Sequence, residues 1–242
     1  MSIVVQKFGG SSVESTEKLF NICKYITKEY DNNNKVVVIV SAQGKTTDNL
    51  IKEAKEIDDN INARELDVLM SVGEQITIAK LTMCLKKLGY NAISLTGWQI
   101  PIRTNENYGD ADISTINIDR IINELDKNKI VIIAGFQGIN QVNDITTLGR
   151  GGSDTTAVAI AAALKADKCD IYKDVDGVYN IDPKTNHKAF KYDTISYYEM
   201  LNLSNNGAKV LHNKSIKLAR EFNIPIHVKS VYDENSKGTY IY

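Results

Sequence analysis

The sequence predicts an α/β fold in which helices cover both faces of a mainly parallel central sheet, giving a three-layer αβα sandwich. Two uninterrupted apolar runs, residues 36–40 and 130–133, have the pattern of strands that are buried on both faces. Segments with apolar residues at helical spacing separate these runs, as in βαβ units. No low-complexity linker or repeat divides the 242 residues, so we expect one domain with two lobes around a cleft.

The individual elements can be placed in order along the chain. Residues 3–8 form a short β-rich run that stops at Gly9 and Gly10, and residues 14–30 carry apolar side chains at helical spacing. The polar segment 136–148 contains glycine and ends in β-branched residues, as a hairpin does. The other predicted elements are strands at 36–40, 91–95, 130–133, 170–173, 226–230 and 239–242, helices at 48–57, 63–87, 118–126, 157–166 and 206–221, and a turn with a short strand at 174–179.

Charge and cysteine content exclude several classes of protein. The 29 Lys and Arg residues nearly balance the 30 Asp and Glu residues, so no global field favours binding to nucleic acid or to an acidic membrane surface. The N-terminus lacks the features of a signal peptide, and no apolar run approaches transmembrane length, which predicts a cytoplasmic protein. Cys23, Cys84 and Cys169 are widely spaced among apolar residues, which predicts buried thiols rather than a zinc site or disulfides.

The first candidate site is the turn that follows the first predicted strand. Lys7 comes just before Gly9 and Gly10, whose missing side chains let backbone amides approach an anion closely, and Ser11 leads into the helix. The positive end of that helix would add to the attraction. This arrangement suits a phosphate, although a glycine turn after a strand also occurs without any ligand.

A second candidate lies where the next buried strand ends. The Gly-Lys-Thr sequence at 44–46 is not a P-loop, because the required glycine five positions before Gly44 is replaced by Ile39. Ser41 and Thr47 remain as small hydroxyl residues at a strand end, where open α/β sheets bind ligands. Helix capping is the alternative role for the threonine.

Glu74 is the third candidate, inside a predicted helix. The preceding Gly73 is a poor helix former and would allow a ligand or a strand to approach closely. A solvated helix glutamate is the alternative interpretation.

Residues 146–156 form the most informative segment. Three glycines, Gly152 among them, surround Arg150, whose planar guanidinium can bind a carboxylate or a phosphate through two hydrogen bonds. Ser153 and Asp154 stand where a helix begins, so Asp154 would either cap that helix or hold a lysine or a magnesium ion near phosphates. Further on, residues 174–184 combine acids, Tyr179 and a cation, which suits a nucleotide or an ordinary acidic turn.

Taken together, these segments resemble the catalytic domain of aspartate kinases, within the amino acid kinase superfamily. The resemblance spans residues 1–242 and implies the carbamate kinase-like fold of that superfamily. It also implies a single catalytic domain, with an N-terminal amino-acid-binding lobe and a C-terminal nucleotide-binding lobe. The motifs that carry it are 7–13, 41–42, 73–74, 135–138, 146–156, 174–179 and 207–212.

The resemblance implies a reaction and its reactants. ATP would phosphorylate the β-carboxylate of L-aspartate to 4-phospho-L-aspartate, the first step in the biosynthesis of lysine, threonine and methionine. Mg²⁺ would bridge the β- and γ-phosphates without a firmly assigned protein ligand. Another kinase of the superfamily, or a non-catalytic sensor of amino acids or nucleotides, is the alternative.

The resemblance also implies a role for each candidate residue. Lys7 would contact the transferred phosphate and Asp154 would orient this lysine. Arg150 would bind the α-carboxylate of the substrate and Glu74 its α-ammonium group, with Ser41 and Thr47 completing the pocket. The implied contacts to nucleotide and phosphate are Lys7, Gly9, Gly10, Ser11, Gly152, Ser153, Lys173, Asp174, Tyr179 and Lys184.

Three features depart from the family pattern. Lys173 stands where the family usually has threonine, and Asn213 and Lys214 stand where it commonly has proline and arginine. The sequence ends at Tyr242, whereas aspartate kinases usually continue into paired regulatory ACT domains. We therefore expect a catalytic domain without a regulatory domain, which is either a part of a longer protein or a short form without feedback control. A homodimer is a further expectation from the family.

Overall fold

The computed structural model describes residues 2–181, 183, 186–208 and 210–242. Most of these residues belong to a central sheet, a smaller sheet and the helices that cover them. In chain order the elements are β1 (Ile3–Phe8), a 3-10 turn (Gly10–Ser12), α1 (Thr16–Asp31), β2 (Lys35–Val40), α2 (Thr46–Ile57), α3 (Ala63–Met70), α4 (Val72–Lys87), β3 (Ala92–Leu95), β4 (Ile102–Thr104), β5 (Ile113–Ile116), α5 (Asp119–Leu125), β6 (Ile130–Ala134), β7 (Gln137–Ile139), β8 (Ile145–Thr147), α6 (Gly152–Leu164), β9 (Lys168–Lys173), β10 (Val178–Tyr179), β11 (Lys191–Tyr192), β12 (Thr194–Ile195), α7 (Tyr197–Asn205), α8 (Asn213–Phe222), β13 (Ile226–Ser230) and β14 (Thr239–Ile241).

The central sheet has eight strands in the order β12-β14-β13-β9-β1-β2-β6-β3. Every neighbouring pair is parallel except β13 with β14. Phe8 at the end of β1 pairs with Val40 on one side and with Tyr172 on the other. The carboxyl ends of β1, β2 and β9 therefore meet at one edge, where open parallel sheets bind ligands.

Two apolar layers hold the helices against opposite faces of this sheet. Val36 and Val38 of β2 pack with α1 and α4, whereas Val37 and Ile39 pack in the layer that contains residues of α5, α6, α7 and α8. Alternate residues of one strand are thus buried on both faces, which explains the uninterrupted apolar run. Burying each such side chain contributes about 1.5–3 kcal/mol. The predicted three-layer αβα sandwich is confirmed.

A second, four-stranded sheet with the order β5-β4-β7-β8 leads the chain to the arginine-containing segment. The hairpin predicted for 136–148 is present, because Gln137 of β7 pairs with Thr147 of β8 in the antiparallel sense. The sequence analysis did not predict β4 and β5. Both strands are only three to four residues long, and β5 is partly exposed, so neither leaves a clear apolar pattern.

The prediction of one helix over 206–221 is wrong. Among the described residues of that range, the helix begins only at Asn213 and runs to Phe222. An unpredicted helix, Tyr197–Asn205, ends just before the range, and the chain turns after it at Gly207, with φ of 100°. The unpredicted helix begins with a capping box, in which the Ser196 hydroxyl accepts from the Glu199 backbone N–H and the Glu199 carboxylate accepts from Ser196. The Ser-x-x-Glu spacing of this capping box, Ser196 to Glu199, is readable in the sequence.

The predicted helix over 63–87 is present, with a break at Ser71 between α3 and α4. This stretch is long and apolar enough to cross a membrane by composition, but 56% of its most apolar window is buried inside the protein. It therefore packs as part of the core of this fold.

Candidate active site

A cavity of about 630 Å³ opens at the carboxyl ends of β1, β2 and β9. Strand ends, the amino end of α6 and the loops before α2 and after β8 contribute to its wall. The residues that line it are Lys7, Gly10, Ser41, Ala42, Gly44, Thr47, Asp48, Ile51, Leu66, Met70, Glu74, Gly109, Phe136, Gly149, Arg150, Gly151, Gly152, Ser153, Asp154 and Lys173.

A carboxylate held between two lysines forms the centre of the cavity. Lys7 Nζ lies 2.7 Å from Asp154 Oδ1, and Lys173 Nζ donates a hydrogen bond of 2.7 Å to Asp154 Oδ2. Lys7 shares the sheet face of its neighbours Ile39 and Ile171, the face that α6 covers, and Lys173 follows Ile171 by two residues on β9. Strand register therefore directs both ammonium groups toward Asp154 of α6.

Burial and charge pairing together set the protonation of this centre. Burial lowers the pKa of Lys7, and the nearby carboxylate of Asp154 opposes that change. Burial would raise the pKa of Asp154, but the two lysines outweigh it and leave a pKa of about 2. The carboxylate thus stays ionised at neutral pH.

The amino end of α6 adds further attraction for an anion. Gly151, with φ of 72°, is the N-cap of this 13-residue helix, and Gly152 and Ser153 follow in its first turn. All three residues line the cavity, so the positive end of the helix lies beside the lysines. The backbone N–H of Gly152 donates to the Gly149 carbonyl at 3.0 Å. Gly10, which also lines the cavity, approaches Ala42 closely. A Cβ atom on Gly10 would lie 2.8 Å from the carbonyl oxygen of Ala42. This surface suits the phosphates of a nucleotide.

Glu74 is a buried carboxylate with one oxygen left unpaired. Its Oε1 accepts a hydrogen bond of 2.9 Å from the backbone N–H of Ala42, whereas Oε2 has no hydrogen-bond partner among the described residues. Burial raises the pKa of Glu74 to about 7. A cationic group bound in the cavity would satisfy the free oxygen and restore the ordinary pKa.

The predicted close approach at Gly73 is confirmed. A Cβ atom at this position would lie 2.7 Å from Cβ of Ala42, so only glycine lets α4 reach the end of β2. The contact brings Glu74 to the backbone that it binds.

Arg150 occupies the mouth of the cavity and is exposed. Gly149 and Gly151 flank it, both with positive φ, a backbone conformation that favours glycine. The guanidinium is therefore free to bind a carboxylate that enters the cavity.

Ten of the predicted site residues line this one cavity: Lys7, Gly10, Ser41, Thr47, Glu74, Arg150, Gly152, Ser153, Asp154 and Lys173. Gly9, Ser11, Asp174 and Tyr179 do not line it. Asp174 is exposed just beyond β9, and the Tyr179 hydroxyl donates to Asp176 Oδ1 at 2.9 Å. Lys184 lies outside the described residues.

Sequence reasoning missed several lining residues. Leu66, Met70 and Gly109 enter from α3 and from the loop before β5, for which no site was predicted. Phe136 had been noted only as part of a motif, yet it has φ of 71°, which is uncommon for an aromatic residue. Such a backbone conformation often marks a functional site.

Lys214, one of the departures from the family pattern, has an assigned contact. Its Nζ lies 2.6 Å from Asp110 Oδ1 and 3.1 Å from Asp112 Oδ1, so the start of α8 is bridged to the loop before β5. Asn213 donates to Asn205 Oδ1 at 2.7 Å, which joins α8 to the end of α7.

No group of three or more His, Cys, Asp or Glu side chains in the described part of the chain could hold a metal ion. The three cysteines are free and buried, as predicted, and burial raises the pKa of each thiol. A divalent cation at this cavity would thus depend on oxygens supplied by the ligand itself.

The profile of the amino acid kinase family matches residues 2–230. The chain belongs to this family. The aspartokinase of Geobacillus stearothermophilus is 52% identical over 241 residues, and aspartokinase 2 of Bacillus subtilis is 51% identical over 241 residues. Each alignment includes 100% of this chain but 59% of the relative. The chain thus spans little more than half the length of these aspartokinases, and the resemblance inferred from the motifs is confirmed.

Solved structures agree with this family assignment. An aspartate kinase from Synechocystis has a TM-score of 0.89 and 42% identity over 99% of this chain and 39% of its own. Aspartokinase III of E. coli, solved with aspartate and ADP, has a TM-score of 0.90 and 26% identity over 99% of this chain and 64% of its own. The predicted amino acid kinase fold is therefore confirmed.

Proposed function

We propose that this chain catalyses the ATP-dependent phosphorylation of the β-carboxylate of L-aspartate. One observation carries the proposal: a single cavity holds a group for each charge of an amino acid, Glu74 and Arg150, beside a cationic centre for phosphates, Lys7 and Lys173. Relatives called aspartokinase, and a similar structure that binds aspartate and ADP, support the same substrates.

The amino-acid end of the cavity, formed by Arg150 and Glu74, binds the two backbone charges of the substrate. Arg150 binds the α-carboxylate through two parallel hydrogen bonds, and Glu74 accepts the α-ammonium group on its unpaired oxygen. Ser41 and Thr47 complete the pocket with hydroxyl groups. The side-chain carboxylate of aspartate then points toward the lysines, where the phosphate is transferred.

The reaction needs positioning and charge neutralisation more than proton transfer. The β-carboxylate is ionised at neutral pH and attacks the γ-phosphorus, forming a new P–O bond while the bond to the ADP oxygen breaks. Lys7 and Lys173 neutralise charge on the transferred phosphoryl group, while Asp154 holds both lysines in place. The backbone N–H of Ser153 binds a phosphate oxygen at the start of α6, where Gly152 leaves room for the phosphate.

The cavity suits a magnesium nucleotide. Mg²⁺ bound with the nucleotide would neutralise charge on its phosphates, beside Lys7 and Lys173. Asp154 is already paired with two lysines, so it orients these cations rather than serving as a metal ligand. Gly9, Ser11, Asp174, Tyr179 and Lys184 remain predicted nucleotide contacts, and the two ligand-binding lobes, the homodimer and the cytoplasmic location remain predictions too.

The first experiment measures ADP release from ATP in the presence of magnesium and L-aspartate, with glutamate, carbamate and UMP as parallel acceptors. Acyl phosphate formation is followed as the hydroxamate formed with hydroxylamine. Lys7→Ala should abolish turnover, whereas Lys55→Ala, on the exposed face of α2, should leave it unchanged.

The outcomes separate the alternatives. Turnover confined to aspartate supports the proposal. Turnover with another acceptor would assign a different substrate to the chain and leave its family unchanged. Ligand-dependent increases in melting temperature without ADP release on any acceptor would favour a sensor and contradict the proposed activity.

A further inference from the structure

Asp67 is a fully buried carboxylate that lies behind the cavity wall rather than in it. Its neighbours Leu66 and Met70 line the cavity, whereas the Asp67 side chain points away into the protein and has 0% exposure. An ionised carboxylate in such a place is costly unless hydrogen bonds satisfy it. This residue therefore calls for a specific explanation.

Three hydrogen bonds stabilise the Asp67 carboxylate, and their donors belong to two separate segments, the end of β8 and the loop at Gly109. The Thr147 hydroxyl donates to Oδ1 at 2.7 Å, and the Thr147 backbone N–H donates to Oδ2 at 2.8 Å. The backbone N–H of Gly109 also donates to Oδ2, at 3.0 Å. Burial raises the pKa of Asp67 and these three bonds oppose that change.

Each of the two segments reaches the cavity within three residues of its own contact with Asp67. Thr147 ends β8 only three residues before Arg150, and Gly109 itself lines the cavity. The loops also touch each other, because a Cβ atom on Gly149 would lie 2.5 Å from Asp110 Oδ1. One helical side chain thus fixes the two segments that carry and flank the arginine.

We propose that Asp67 is a positioning residue for the aspartate pocket, holding the Arg150 loop and the loop at Gly109 in the geometry that binds substrate. The inference rests on the proposed function. Asp67 contacts neither substrate nor nucleotide, so its effect passes through the loops. Its loss should therefore weaken aspartate binding while the phosphate centre at Lys7 and Asp154 keeps its geometry.

The test compares Asp67→Ala with Asp67→Asn. Alanine removes all three acceptor contacts, so the KM for aspartate should rise about tenfold or more, with kcat at saturating aspartate and the KM for ATP changed less than about threefold. Asparagine keeps the shape, and its oxygen can accept both backbone N–H groups while its amide donates to the Thr147 hydroxyl. This variant should recover the KM for aspartate to within about threefold of the parent value.

Thr147 provides a second pair in case Asp67→Ala does not fold. Thr147→Val removes one donor to Asp67 and keeps the branched shape, so the KM for aspartate should rise about three- to tenfold. Thr147→Ser keeps the hydroxyl, so its KM for aspartate should remain near the parent value.

The results distinguish this inference from the proposed function. Variants that lower the melting temperature but leave the KM for aspartate unchanged would show a structural role only and overturn the inference. An equal fall in kcat at saturating aspartate, or an equal rise in the KM for ATP, would also overturn it. If the parent protein itself shows no turnover with aspartate, the proposed function fails first.

Discussion

Replacing Glu74 with glutamine should stabilise the ligand-free protein above neutral pH while weakening aspartate binding. Glu74 is 3% exposed, and burial raises its pKa from an ordinary 4.5 to about 7. Because a tenfold change in proton affinity corresponds to about 1.4 kcal/mol, this difference corresponds to about 3 kcal/mol. The ionised carboxylate thus destabilises the folded protein by roughly that amount relative to a neutral group.

The direction in which stability changes with pH follows from the direction of the pKa change. Between pH 4.5 and 7 the folded protein holds a proton on Glu74 that the unfolded chain has lost, so stability falls as pH rises. Glutamine does not titrate. The free energy of unfolding of Glu74→Gln should therefore equal that of the parent protein near pH 4. The difference should grow in favour of the variant up to pH 7 and remain about 3 kcal/mol at pH 8.5.

Urea unfolding of both proteins without ligands, at several pH values from 4 to 8.5, measures this difference. Glu53→Gln, the same substitution on the exposed face of α2, is the matched control and should change the free energy of unfolding by less than about 0.5 kcal/mol. A stability difference that is flat with pH, or a Glu74→Gln protein that is less stable at pH 8.5, would refute the reasoning. In kinetic assays the same variant should have a higher KM for aspartate, because the α-ammonium loses its partner.

The other predictions concern the phosphate centre and the contact at Gly73. Lys173→Met should lower kcat/KM for ATP about tenfold or more by removing one cation, and Lys173→Arg should recover most of it in the same steady-state assay. Asp154→Asn should lower kcat about 100-fold or more and reduce the urea midpoint, because Lys7 and Lys173 lose their buried counter-ion; unchanged kcat would exclude an orienting role. Gly73→Ala should destabilise the protein by about 1–3 kcal/mol in urea unfolding, because the new methyl group meets Ala42 at 2.7 Å; equal stability would contradict the close contact.

Apolar periodicity was sufficient to predict most of the central sheet and its covering helices. The strands over 36–40 and 130–133 were readable because residues on both faces are buried, which leaves an unbroken apolar run. The strands Ile102–Thr104 and Ile113–Ile116 were missed because they are short and belong to a smaller, more exposed sheet. Their position depends on pairing with the hairpin rather than on a local signal.

The site was predictable where chemistry is local to the sequence. Lys7 beside its glycines, and Arg150 among its glycines, are unusual in themselves, because such a density of glycine costs backbone entropy. The pairing of Lys173 with Asp154 was not readable, since it depends on β9 lying next to β1 in one register. The role proposed for Asp67 depends in the same way on contacts across 42 and 80 residues of sequence.

Two buried charges, those of Glu74 and Lys7, cost free energy in the protein without ligands. Glu74 has an oxygen without a partner among the described residues, and burial lowers the pKa of Lys7 although Asp154 lies beside it. Apolar replacements would be cheaper for folding alone, so these charges make sense as groups that a ligand completes. Because a bound ammonium group returns the pKa of Glu74 toward its ordinary value, binding aspartate at pH 7 should release about half a proton from this carboxylate. The ion pair between Glu74 and the α-ammonium group then neutralises both charges at once. This pairing offsets the free-energy cost of burying the ionised Glu74 carboxylate.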